Sequence, residues 1–142
     1  MTKPQAEIQV LVNNITNKAM LDCGATCNII SKRLAKKLKL KPQKEATKVK
    51  VVDRNSMVNF GKVALTLSIE GYTEMVIANV LAIPDIDIIL GIPWFYDHQP
   101  GGDWKTYVEA SFEGIRQKIL VIPRKKTNMI AIITISQIKR II

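Results

Sequence analysis

Cysteine is scarce in this chain. Only Cys23 and Cys27 occur among 142 residues, too few for a disulfide framework and suited to a reducing compartment. With one histidine, His98, and no second cysteine pair, the spacing of a zinc finger is missing. No phosphate-cradling glycine-rich loop is present. No apolar run approaches the roughly 20 residues that a membrane helix needs. The start, Met1-Thr2-Lys3-Pro4-Gln5, lacks the apolar core of a signal peptide. The expectation is a soluble intracellular protein with no membrane partner. Aromatics make up 6% of the chain.

Apolar residues are plentiful at 47%, and 23% of the chain is charged, a balance that fits a globular protein and argues against disorder. The length suits about one domain with a core of its own. Lys and Arg number 21 against 12 Asp and Glu, a net charge of +9, which favours acidic partners or nucleic acid nearby. Nine of these cations fall between Lys32 and Lys50 (residues 32, 33, 36, 37, 39, 41, 44, 48 and 50). That stretch reads first as a solvated face and second as a nonspecific phosphate contact. It holds no aromatic residue, so base stacking is not expected there.

Most of the chain alternates like strands. Residues 7–12 and 15–21 flank Asn13-Asn14, and Asn tolerates the left-handed backbone of a hairpin turn. Residues 47–53, 57–69 and 72–81 continue as a meander of hairpins, with turns at Arg54-Asn55-Ser56 and Glu70-Gly71. Ser31 starts a short helix as its N-cap, with Leu34, Ala35 and Leu38 on one face and Pro42 as its stop. Asp85 to Gly91 predicts a buried central strand, and Pro93 a short helix over 92–98. Asp103 to Phe112 returns to strand, and Ile119 to Ile122 reads as an edge strand.

The organising stretch is Leu21-Asp22-Cys23-Gly24-Ala25-Thr26. A strand delivers a carboxylate into a sharp turn. Gly24 permits an unusual backbone or a close approach by another chain, and Ala25 adds no bulk beside it. By spacing alone, an Asp heading a tight turn is the blander account. The chain holds no second Asp-x-Gly: Asp53, Asp85, Asp87, Asp97 and Asp103 all lack the glycine. If Asp22 is catalytic, a second carboxylate must come from another copy. Cys23 as a nucleophile would need His98 beside it, and a lone His after Trp94-Phe95-Tyr96-Asp97 is more often structural.

Two segments, taken together and in order, resemble the retropepsin-like aspartic protease domain of gypsy-type LTR retrotransposons. The first is Ala19 to Ser31, matching a strand, then Asp-Ser/Thr-Gly-Ala-Thr, then a return into a short helix. The second is Asp87-Ile88-Ile89-Leu90-Gly91-Ile92-Pro93-Trp94-Phe95, matching an apolar strand that crosses behind the catalytic loop and enters a helix containing Trp. His98, Pro100 and Asp103-Trp104 continue the pattern, so the resemblance covers about residues 6–112.

The resemblance implies a mostly β, closed fold with one or two short helices, working as a homodimer without a cofactor or metal. It implies Asp22 as the catalytic residue and a polypeptide of a retroelement as substrate. Gly24 and Ala25 would border the peptide from below. The hairpin around Arg54-Asn55-Ser56 would be the flap over it, with Val51, Val52 and Asp53 approaching the peptide from above. Cys23, Thr26, Ile89, Leu90 and Gly91 would support the site. The protease domain is expected over 1–114, with 115–142 an extension or linker toward a reverse transcriptase, and the setting is cytoplasmic, within a virus-like particle. One departure stands out. The family places Ser or Thr after the catalytic Asp, where the hydroxyl bonds to backbone across the dimer. Cys23 offers a weaker donor and acceptor. Two other readings stay open: a protease-like dimerisation or binding module of weak or no activity, and a basic nucleic-acid-associated domain.

Overall fold

The computed structural model describes residues 5–43, 47–50 and 56–123. Strands β1 (Gln5–Val12) and β2 (Ile15–Asp22) pair antiparallel along their whole length. Asn13 and Asn14 both take the left-handed backbone, at φ of 49° and 69°, as a two-residue hairpin turn with the twist of the flanking strands demands. The tip is tied down. The Asn13 N–H donates to the Thr66 carbonyl at 2.9 Å, and the Thr66 N–H donates to Asn13 Oδ1 at 3.0 Å.

Strand β3 (Ile29–Ser31) runs into helix α1 (Lys32–Lys37). Ser31 Oγ accepts from the Leu34 N–H at 3.0 Å and caps the helix, as expected. Leu34 and Ala35 are buried, and Lys32, Arg33, Lys36 and Lys37 are exposed. The stop differs from expectation. Lys39 turns left-handed at φ 56°, and the N–H groups of Leu40 and Lys39 close on the Ala35 and Lys36 carbonyls at 2.9 and 3.0 Å. This paired closure ends the helix before Pro42 is reached.

Strand β4 (Thr47–Lys50) pairs with β5 (Ser56–Ile69), which turns through Glu70 and Gly71 into β6 (Tyr72–Leu81). Strand β7 (Ile88–Leu90) lies parallel to β2 and antiparallel to β3. The sheet order is β1-β2-β7-β3-β6-β5-β4, and β1 also pairs with β5 through Leu11–Ser68 and Val12–Leu67. The sheet thus closes on itself through β1 and β5, with β4 lying outside the closed ring on β5. Val63, Leu65, Leu67 and Ile69 of β5 and Val76, Ala78 and Val80 of β6 point into the core, alternating with outward neighbours. A second apolar cluster joins Met20, Ala25, Ile29, Leu81, Ile83, Ile86 and Ile89.

Helix α2 (Ile92–His98) carries Pro93 in its first turn, as expected. A small sheet follows: β8 (Gly101–Gly102), β9 (Tyr107–Phe112) and β10 (Ile115–Leu120). Asp103 lies outside β9. Its carboxylate accepts from the N–H groups of Lys105, Thr106 and Tyr107 at 2.9, 2.8 and 3.1 Å, and from the Thr106 hydroxyl. The Thr106 hydroxyl first, then the backbone N–H bonds, hold it far below the usual carboxylate range. The boundary expected after residue 114 falls in the turn between β9 and β10. Strand β10 pairs with β9 from Ile115 to Leu120, Val121 bridges to Ile8, and the Ile122 N–H donates to the Glu7 carbonyl at 2.8 Å. Residues 115–122 therefore belong to the folded body, and 124–142 lie outside the described residues.

His98 joins three elements. Its ring packs against Trp94 and Phe112 at 4.6 and 4.7 Å. Nδ1 donates to the Ser111 carbonyl at 2.7 Å, and Nε2 lies 2.7 Å from Glu74 Oε2. Burial works against its charge, but the Glu74 hydrogen bond, the Ser111 carbonyl and the charges of Glu74 and Asp97 outweigh it and raise its pKa. A raised pKa gives stability that is complete below the unfolded value of about 6.5 and is lost as pH climbs through the folded value. The native chain should therefore melt above Glu74→Gln at pH 6, with a gap that narrows toward pH 9. A gap independent of pH in thermal melts would contradict this role.

Candidate active site

The site begins at the end of β2. Parallel pairing sets Ala19, Met20 and Leu21 opposite Ile88, Ile89 and Leu90, so Asp22 leaves its strand where Gly91 leaves β7. Asp22 is 0% exposed, and a buried carboxylate requires donors. Oδ1 accepts from the Gly24 N–H at 2.9 Å, and Oδ2 accepts from the Gln5 side-chain amide at 3.0 Å. The Ala25 N–H closes the turn on the Asp22 carbonyl at 3.1 Å.

Gly91 underlies that loop. Its φ of −103° is open to any residue, so the need for glycine is one of space. A Cβ there would meet the Ala25 carbonyl oxygen at 2.4 Å and the Cys27 carbonyl oxygen at 2.5 Å. The Ile92 N–H donates to the same Ala25 carbonyl at 2.8 Å. Gly24 is different. The left-handed glycines among the described residues are Gly61, Gly71, Gly102 and Gly114, so the unusual backbone expected at Gly24 is corrected. At Gly91 the close approach is made by the chain's own Ala25 and Cys27 carbonyls.

Asn28, which the sequence shows only as an amide inside an apolar run, fastens the loop. Its Oδ1 accepts from the Gly91 N–H at 2.9 Å, its Nδ2 donates to the Ile77 carbonyl at 3.2 Å, and its own carbonyl accepts from the Asn79 N–H at 2.9 Å. That polar residue among Cys27, Ile29 and Ile30 was the available signal. Gln5 gave none, because its role depends on the register of the β1–β2 pair.

The other expected site residues fall as follows. Ile89 and Leu90 are buried behind the loop, and Ala25 is buried in the second apolar cluster. Gly24 and Cys23 are half-buried and Thr26 is exposed. Cys27 is half-buried. Burial pushes its thiol pKa up, against an opposing Asn79 hydrogen bond and the Lys62 charge, so it is a protonated, unreactive group. Val51, Val52, Asp53, Arg54 and Asn55 lie outside the described residues. Among the described residues no three His, Cys, Asp or Glu side chains gather as a metal site, and no helix is long and apolar enough to cross a membrane.

The basic stretch is partly engaged within the chain. Arg33 pairs with Asp87 at 3.0 Å and donates to the Ile83 and Ile86 carbonyls at 3.0 and 3.3 Å. Asp87 Oδ1 also accepts from the Ser31 hydroxyl at 2.5 Å. Lys32 sits 4.3 Å above the Phe60 ring. A groove lined by Lys32, Arg33, Lys36, Ala82, Ile83 and Pro84 runs beside α1, on residues other than those that hold Asp22.

A closed β sheet with two short helices and an Asp-x-Gly loop seated on a second glycine has the retropepsin-like aspartic protease fold. The PEG10/RTL1 protease domain family matches residues 18–112, and the chain belongs to that family. The retroviral protease-like domain of Ddi1 from Leishmania major is similar in structure, with a TM-score of 0.62 at 16% identity over 86% of this chain and 96% of that one. An EIAV protease in complex with the inhibitor HBY-793 gives a TM-score of 0.54 at 23% identity, over 68% and 93% of the two chains. At these identities the two structures speak for the fold. No curated protein sequence matches the chain.

Proposed function

We propose that the chain is an aspartic endopeptidase that acts as a homodimer on the polyprotein of a retroelement. The observation that carries this reading is the Asp22 carboxylate, fixed at the end of β2 by the Gly24 N–H, in a chain with a single Asp-x-Gly. Two copies would place two such carboxylates face to face on a twofold axis. Carboxylates a few Å apart do not both ionise readily, so the pair shares one proton, and aspartic proteases are the standard instance. The charged member takes a proton from water as that water attacks the scissile carbonyl. The protonated member donates to the carbonyl oxygen. The product of attack is a tetrahedral intermediate with no covalent bond to the enzyme.

The test is incubation of the pure chain with a peptide library from acidic to alkaline pH. Cleavage with a bell-shaped profile is expected, falling on the alkaline side as the shared proton is lost and on the acid side as both carboxylates protonate. Absence of cleavage at every pH would sink the reading.

Cys23 favours a second reading, a folded and dimeric module without turnover. The same residue makes a separate prediction. In the proposed dimer Cys23 stands where a hydroxyl would bond across the axis, and a neutral hydrogen bond is worth roughly 0.5–1.5 kcal/mol net. With two such positions per dimer, Cys23→Thr should tighten the dimer by about 1–3 kcal/mol, read by sedimentation over a dilution series. A weaker dimer would show that the thiol has a role of its own.

A further inference from the structure

We propose that Gln5 is a positioning residue for the Asp22 carboxylate, a role that rests on the protease reading for its catalytic consequence but not for its geometry. The β1–β2 register sets Gln5 directly opposite Asp22, in the pair at the mouth of the hairpin. Its amide Nε2 donates to Oδ2 at 3.0 Å while the Gly24 N–H donates to Oδ1 at 2.9 Å. The carboxylate is thus held at both oxygens and from two directions, one donor local and one 17 residues away. The Ala25 N–H is spent on the Asp22 carbonyl at 3.1 Å, so Gln5 brings a donor from the neighbouring strand to the second oxygen.

The type of donor matters as much as its place. A Lys or Arg at this position would add a full positive charge against a group that must act as a base, and would hold it ionised. A primary amide fixes the oxygen in direction and leaves its charge in place. Rotation of the carboxylate about its last bond would break the bonds from Gly24 and Gln5 to a buried acceptor. In a dimer the same arrangement occurs twice, which keeps both carboxylates oriented toward the axis. Gln5 thereby makes the first strand, which also closes the sheet on β5, part of the site.

The experiment compares the native chain with Gln5→Leu and Gln5→Glu, using peptide turnover, sedimentation and the ¹³C carboxyl resonance of Asp22, assigned by its loss in Asp22→Asn. Gln5→Leu should lower kcat by roughly tenfold, the low end for a hydrogen bond to a charged group, with KM within about twofold and the dimer constant unchanged. Gln5→Glu keeps the shape. It should approach native turnover at acid pH, where the new carboxyl is protonated and can donate, and fall away faster than the native chain as pH rises. The Asp22 resonance should shift in Gln5→Leu even if no variant cleaves peptide, a result that would sustain the positioning role while removing the protease reading. An unmoved resonance, or a loss of turnover that only follows a weakened dimer, would overturn the proposal.

Discussion

Replacing Asp22 with Asn is expected to abolish peptide turnover while leaving the chain folded. General acid–base catalysis contributes roughly 10²–10⁴-fold, and Asn supplies neither the base nor the acid, so a loss of at least this size should follow. The fold should survive because the amide oxygen can still accept from the Gly24 N–H, and the Gln5 amide can turn to present its own oxygen to the new NH₂ group. Thermal melting therefore separates the two effects. A native-like melt with no turnover supports a chemical role for Asp22. Turnover within tenfold of native would place the chemistry elsewhere.

The largest effect on stability is expected at Gly91. In Gly91→Ala the new methyl meets two backbone oxygens, at 2.4 and 2.5 Å, and neither can swing aside as a side chain would. Overpacked sites usually cost 1–3 kcal/mol and sometimes more. A cost of about 3 kcal/mol is expected here, since relief requires moving the Ala25–Cys27 backbone and with it the bonds from Ile92 and Asn28. Chemical denaturation should show a lower midpoint with an unchanged slope. Turnover should fall further than the loss of folded protein explains, because the displaced loop carries Asp22. A variant as stable as the native chain would show that the loop and β7 are not in this contact.

The parts of this fold that were legible in the sequence rest on local signals. Asn13-Asn14 and Glu70-Gly71 mark hairpins because each turn needs left-handed backbone, and the flanking strands follow by alternation. Ser31 and Pro93 mark helix starts because each satisfies or omits an N–H that the helix itself cannot use. The features without such a marker are long-range pairings and closures made by backbone alone. The pairing of β1 with β5 that closes the sheet joins residues more than fifty positions apart. Lys39 ends α1 through a backbone closure that no side chain announces. The extent of β10 was hidden because Arg116, Gln117 and Lys118 interrupt its apolar residues, yet Arg116 and Lys118 lie on its exposed face, where polar side chains are at home, and Gln117 is half-buried on the other.

The site divides in the same way. Asp22 stood out because its Asp-x-Gly turn is followed, in order, by the Ile-Leu-Gly strand; by spacing alone it was an ordinary turn residue. Gly91 was marked only by resemblance, and its physical reason, contact with two carbonyl oxygens, exists only once β7 lies beside β2. Asn28 and Gln5 act through groups 63 and 17 residues away. Neither residue type nor spacing could assign them without the register.

The central claim is that one active site is built from two copies of Asp22. Mixing tests it most directly. Native and Asp22→Asn chains are combined at fixed total concentration, well above the dimer constant, exchanged to equilibrium, and assayed on one peptide. If each site needs a carboxylate from both chains, turnover follows the square of the native fraction, and an equal mixture retains about one quarter of the native rate. A rate that falls in simple proportion, with about one half remaining, would mean that each chain works with its own Asp22 alone and would contradict the shared site.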